Sequence, residues 1–119
     1  MTGSLVAGNR DLGIFSADVD TAITGTVVRD TLPQESDGTG GQGIGAQCDD
    51  VVGACGTLTV TGSVVAGNTE AGIITFGFDA AITGTVIRDT LPREGDGVGG
   101  RGINVQCDHV VGACGTLTV

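Results

Sequence analysis

Residues 2–60 and 61–119 are one unit written twice: they align without a gap, and 41 of the 59 positions are identical. A fixed period of this length constrains the fold more than any other feature of the chain. Each unit must bury a face that its neighbour completes, so the 119 residues read as a single domain built from two repeats, 2–60 and 61–119. The differences gather at Arg10–Leu12 and Phe15–Val19, opposite Thr69–Ala71 and Ile74–Phe78. "RDTLP" recurs at 29–33 and 88–92, and "CGTLTV" at 55–60 and 114–119.

A shorter repeat lies inside each unit. A T-G-[ST]-apolar-[VI] station begins at Thr2, Thr24, Thr61 and Thr83, and a Gly-Ile station follows at Gly13, Gly43, Gly72 and Gly102. The first circuit of a unit takes 22 residues and the second takes 37. The extra length falls at 30–41 and 47–56 and their second copies, which are rich in Gly and Asp and read as loops.

The local chemistry points to strands. Val and Ile number 23 against 6 Leu, with 16 Thr and 23 Gly, and no stretch shows a 3.6-residue apolar period. β-Branched residues suit a pleated, half-buried surface, and glycines suit the turns between short strands. Recurrence of one strand in one chain direction, each time after a full circuit, implies parallel in-register stacking. In "AITGTVV" the alternation puts Ile23, Gly25 and Val27 on the core face and Thr24 and Thr26 outside. A β-sandwich or small barrel is the alternative, since Gly-rich turns and alternating strands also fit those folds.

The pattern apolar-x-apolar-x-x-x-apolar-apolar, then x-x-Asn and Gly-Ile, is clearest in "LTVTGSVVAGNTEAGI" (58–73). Here the chain resembles the right-handed parallel β-helix proteins, the pectate-lyase-like solenoids. The resemblance implies an all-β solenoid of about four coils over nearly the whole chain, and it carries a fold, not an activity.

Cys48 and Cys55 enclose six residues, as do Cys107 and Cys114. Equivalent residues of the two units would sit two coils, roughly 10 Å, apart at a strand spacing of about 4.8 Å. That exceeds the roughly 7 Å limit on Cα separation for a disulfide. Local pairs that pin the second loop are the favoured reading; one four-cysteine metal site or reduced core cysteines are the alternatives. Disulfides would place the parent protein outside the cytosol, secreted or extracellular, although this chain has no signal peptide.

Charge removes some partners. The net charge is −9 and all five basic residues are arginines, so phosphate backbones and anionic membranes are unsuited. No apolar run approaches the length of a membrane span. Relatives of the β-helix fold often act on polysaccharides through clustered carboxylates and an arginine. Arg29 with Asp30, Arg88 with Asp89, Glu35 with Asp37 and Glu94 with Asp96 would be the residues to borrow. All of them are duplicated, whereas an active site is a single constellation that breaks repeat symmetry. His109 stands opposite Asp50 with no evident partner and reads as a surface residue, and there is no Trp or Tyr for stacking a sugar. The expectation is no enzyme, no catalytic residue, no resident metal and no cofactor. Calcium is the one cation that "ESDGTGGQG" and "EGDGVGGRG" would suit, without matching a known calcium loop.

Three functional expectations remain. Thr2/Ser4, Thr24/Thr26, Thr61/Ser63 and Thr83/Thr85 form T-x-[ST] rungs that would make an outward ligand face for a glycan or for ice, with simple strand propensity as the competing account. The alternative that weighs more comes from the ends. The chain closes on "CGTLTV" and opens, after Met1, on "TGSLV", so one molecule followed by another reproduces the internal joint "CGTLTV-TGSVV". No cap is legible at either end, and a head-to-tail contact that does not close gives a filament. The expected function is therefore a structural, self-associating segment, an excised or engineered piece of an extracellular β-helix whose partner is itself. A non-catalytic fragment of a polysaccharide-active enzyme is the third reading.

Overall fold

The computed structural model describes residues 1–17, 19–33, 40–48, 55–92, 99–107 and 114–119. Most of the two expected loops, together with Glu35, Asp37, Asp50, Glu94, Asp96 and His109, lies outside the described residues.

Among the described residues twelve short strands follow one another: β1 (Leu5–Ala7), β2 (Leu12–Ala17), β3 (Thr21–Thr24), β4 (Val27–Arg29), β5 (Gln42–Gln47), β6 (Thr57–Thr61), β7 (Val64–Ala66), β8 (Ala71–Phe76), β9 (Asp79–Thr83), β10 (Val86–Arg88), β11 (Arg101–Gln106) and β12 (Leu117–Thr118). They form three four-stranded sheets, β1-β4-β7-β10, β2-β5-β8-β11 and β3-β6-β9-β12. Every strand pairs with the strand three places on in sequence, and every strand pairing is parallel. There is no helix among the described residues. The architecture is all-β with three parallel sheets, compatible with a parallel β-helix, and it does not fit a sandwich or small barrel of antiparallel strands.

Like stacks on like, as the repeat requires. Val6 pairs with Val28, Val28 with Val65 and Val65 with Ile87. Ile14, Ile44, Ile73 and Ile103 make a second column, and Ile23, Val60 and Ile82 a third. These columns are the core. Val28, Val60, Val65 and Ile73 are completely buried, joined by Leu58 and by Phe78, which only the second unit supplies. Burying such a side chain stabilises by about 1.5–3 kcal/mol. The outermost members of the first two columns, Val6, Ile14, Ile87 and Ile103, are only partly covered and gain less, whereas Ile23 and Ile82 of the third are buried.

One expectation is corrected. Gly25 does not continue a strand with Ile23 and Val27: its φ is 57°, and β3 ends before it. A left-handed residue turns the chain through a corner, which glycine tolerates because it has no Cβ to clash. The corner resets the alternation. Thr26 and Val28 are completely buried beyond it, while Val27 is only partly so. Gly3, Gly62 and Gly84 repeat the same turn at φ 58°, 57° and 56°.

Candidate functional site

The T-x-[ST] rungs divide at that corner. Thr2, Thr24, Thr61 and Thr83 are exposed and stacked in register on the sheet that contains β3. The second members point the other way: Thr26 is 0% exposed, Ser63 2%, and Ser4 and Thr85 are partly buried. They do not form an outward face with their partners. Each hydroxyl instead donates to the carbonyl two residues back, at 3.2 Å for Ser4, 3.1 Å for Thr26, 3.0 Å for Ser63 and 3.2 Å for Thr85. Each also accepts a backbone N–H from the preceding circuit where one exists: Ser4 N–H to Thr26 Oγ1 at 3.4 Å, Thr26 N–H to Ser63 Oγ at 3.1 Å, Ser63 N–H to Thr85 Oγ1 at 3.3 Å. The corner breaks backbone strand pairing, and the hydroxyl ladder restores the partners that buried amides require.

The exposed threonine face is larger than those rungs and extends along the same sheet. In "TLTVT" the Leu58 and Val60 side chains are buried, so Thr57, Thr59 and Thr61 face solvent. Thr116 and Thr118 repeat this beside β9. Asp20 Oδ1 accepts both the Thr57 N–H, at 2.9 Å, and its hydroxyl, at 3.1 Å; Asp79 holds Thr116 in the same way. A shallow depression of about 260 Å³ lies between Thr57, Thr59, Asp79, Thr116 and Thr118. The alternation of "TLTV" carries this signal in the sequence.

A second buried feature escaped the sequence. Asn68 is completely buried; its Oδ1 accepts the Thr31 N–H at 3.1 Å and its Nδ2 donates to the Val28 carbonyl at 3.3 Å. Residue type does not distinguish Asn68 from Asn9, its exposed equivalent in the first unit.

Of the residues borrowed for catalysis, Arg29, Asp30, Arg88 and Asp89 are described, and Glu35, Asp37, Glu94 and Asp96 lie outside the described residues. Arg29 and Asp30 form an ion pair of 3.6 Å with both side chains more than half exposed, and Asp30 occupies a left-handed turn position at φ 56°, as does Asp89 at φ 55°. Among the described residues no three His, Cys, Asp or Glu side chains gather as a metal site would require. Glu70 serves the fold: its carboxylate accepts the Gly40 N–H at 3.0 Å and the Gln42 amide at 3.4 Å. It borders an open groove of about 210 Å³ floored by Ile74 and Phe76 and edged by Arg101 and Asn104.

Cys48 is disulfide-bonded to Cys55 and Cys107 to Cys114, with Cα separations of 4.3 and 4.1 Å. Two disulfides are the usual mark of an oxidising compartment.

Among the described residues the two ends form a further surface. β1 and β2 at one end, and β10, β11 and β12 at the other, each have a single sheet neighbour. Their edges carry exposed apolar side chains: Leu5 is 62% exposed, Val86 53%, Leu117 44% and Val119 83%. Beside β3 lies Met1, whose amino group donates to the Ala22 carbonyl at 2.8 Å and whose carbonyl accepts the Thr24 N–H at 2.9 Å. No protein-family model, curated protein or solved structure matches the chain.

Proposed function

We propose that this chain is a structural, self-associating segment of a right-handed parallel β-helix of about four coils, extracellular in its parent protein, in which one copy stacks end to end on the next. One observation carries the reading. Two of the three core columns, completely buried in the middle at Val28, Val65 and Ile73, run out at both ends into Val6, Ile14, Ile87 and Ile103, which are half covered, while the third column, Ile23, Val60 and Ile82, stays buried. The molecule measures 32 × 31 × 19 Å, so it is a disc whose two broad faces are those ends. Apolar side chains beside unpaired strand edges are what an edge-to-edge contact consumes, and a second copy supplies both in register.

Light scattering after size exclusion, over a wide concentration range, tests this. Mass that grows with concentration supports stacking, and a monomer at every concentration overturns it.

A second reading rests on the exposed threonine face around Thr57, Thr59 and Thr61. Regularly spaced hydroxyls on a flat sheet suit a repetitive hydroxyl-bearing ligand, a glycan or ice. Thr59→Val, at an exposed strand position, would abolish such binding and leave folding and stacking unchanged; unaltered binding by the variant would set the reading aside.

A further inference from the structure

The geometry points to one register for the contact between copies: the incoming molecule repeats the internal joint between residues 27–61 and 64–83, with its Asn9 and Ser4 taking the places of Asn68 and Ser63. This rests on the stacking reading and adds the residues that select the register.

Four backbone donors at the internal joint show what such a contact requires. Gly25 N–H bonds the Thr61 carbonyl at 3.0 Å and Asp30 N–H the Ala66 carbonyl at 3.1 Å. Thr26 N–H bonds the Ser63 hydroxyl and Thr31 N–H the Asn68 amide oxygen, both at 3.1 Å. Their equivalents in the second unit are Gly84, Asp89, Thr85 and Thr90. None of these four N–H groups has an acceptor among the described residues. The acceptors they lack sit at the opposite end of the molecule, on Thr2, Ala7, Ser4 and Asn9. The first two are backbone carbonyls that any register would offer. Ser4 and Asn9 are side chains at fixed places, so they meet Thr85 and Thr90 in one register only.

Asn9 is exposed and its amide makes no hydrogen bond among the described residues, although the residue is identical to the buried Asn68. In the stack its Oδ1 accepts the Thr90 N–H of the neighbouring copy, and its Nδ2 donates to the Ile87 carbonyl, as Asn68 does to Val28. A one-residue slip would leave both groups buried and unpaired, which is costly. A second feature adjusts the joint. Met1 already fills, beside Ile23, the place that Val60 fills beside Ile82, so Val119 of the neighbour is surplus and is displaced outward.

Cysteine cross-linking tests the register. Parallel neighbours lie about 4.8 Å apart, within disulfide reach. A chain carrying Asn9→Cys and Thr90→Cys should give a ladder of linked species under mild oxidation, and one carrying Asn9→Cys and Thr85→Cys should not. Asn9→Ala should weaken association about tenfold while leaving the melting of the dilute monomer unchanged. If light scattering shows stacks but neither the ladder nor the Asn9→Ala effect appears, the register is wrong and stacking stands. If no stacks form, both fail.

Discussion

Asn68 and Thr31 are 37 residues apart in sequence and both completely buried, joined by a 3.1 Å bond from the Thr31 N–H to the Asn68 side chain. The same side chain reaches the Val28 carbonyl, so one amide ties two circuits together. Asn68→Ala leaves an unpaired amide and a small cavity and should cost about 2–4 kcal/mol. Asn68→Asp should cost more, because it buries a charge facing the Val28 carbonyl. Urea midpoints of the two variants check the order.

Thr26→Val and Thr24→Val should differ sharply although the residues are two apart. Thr26→Val removes the acceptor of the Ser4 N–H and the donor to the Thr24 carbonyl, a loss of about 1–3 kcal/mol. Thr24 is exposed and its replacement by Val should stay within about 0.5 kcal/mol of the parent. Equal midpoints for the pair would show that the ladder contributes nothing.

Gly43→Ala should be among the most damaging single-methyl additions. A Cβ there would meet the Asn68 Nδ2 and the Gly72 carbonyl oxygen, both at 2.7 Å. Backbone cannot give way by that amount within a stacked sheet, so a loss of more than about 2 kcal/mol is expected. The melting temperature reports it, with Gly62→Ala, where nothing lies close but φ is 57°, as the milder comparison at about 1 kcal/mol.

Replacing Cys48 and Cys55 together by Ser should lower stability by about 2–3 kcal/mol through the short loop that the bond closes. The Cys107 and Cys114 pair should cost less, because Cys48 is completely buried in the core cluster whereas Cys107 is exposed. Thermal melts of the two double variants, and of the parent with and without reductant, give the comparison.

Stacking should tighten with salt. Each copy carries a net charge of −9, so two copies repel, and screening at about 0.5 M salt shortens the range of that repulsion below its roughly 10 Å at 0.1 M. Average mass at fixed protein concentration should rise with added sodium chloride; a fall would mean that ion pairs hold the joint.

The period, the strand columns and the Gly-Ile stations were legible because stacking forces equivalent residues into register: Ile14, Ile44, Ile73 and Ile103 are read from the sequence as readily as from the sheets. The orientation of Thr26 and Ser63 was not. Strict alternation assumes an unbroken strand, and a single left-handed glycine shifts every later side chain to the other face. Asn68 was hidden for another reason. Its role depends on having a circuit on the side that Asn9 lacks, which is a property of position in the stack and not of residue type.

The hydroxyl ladder gives the molecule a direction. From Ser4 through Thr26 to Ser63, each N–H reaches toward the later circuit and none reaches back. A two-fold dimer, in which one end meets its own copy, would set acceptor hydroxyl against acceptor hydroxyl. Stacking of the proposed kind would therefore not close on itself as a symmetric pair. A fibre built by the proposed stacking would have two chemically different tips, would elongate at unequal rates from them, and would be terminated by a few molecules blunted on one side.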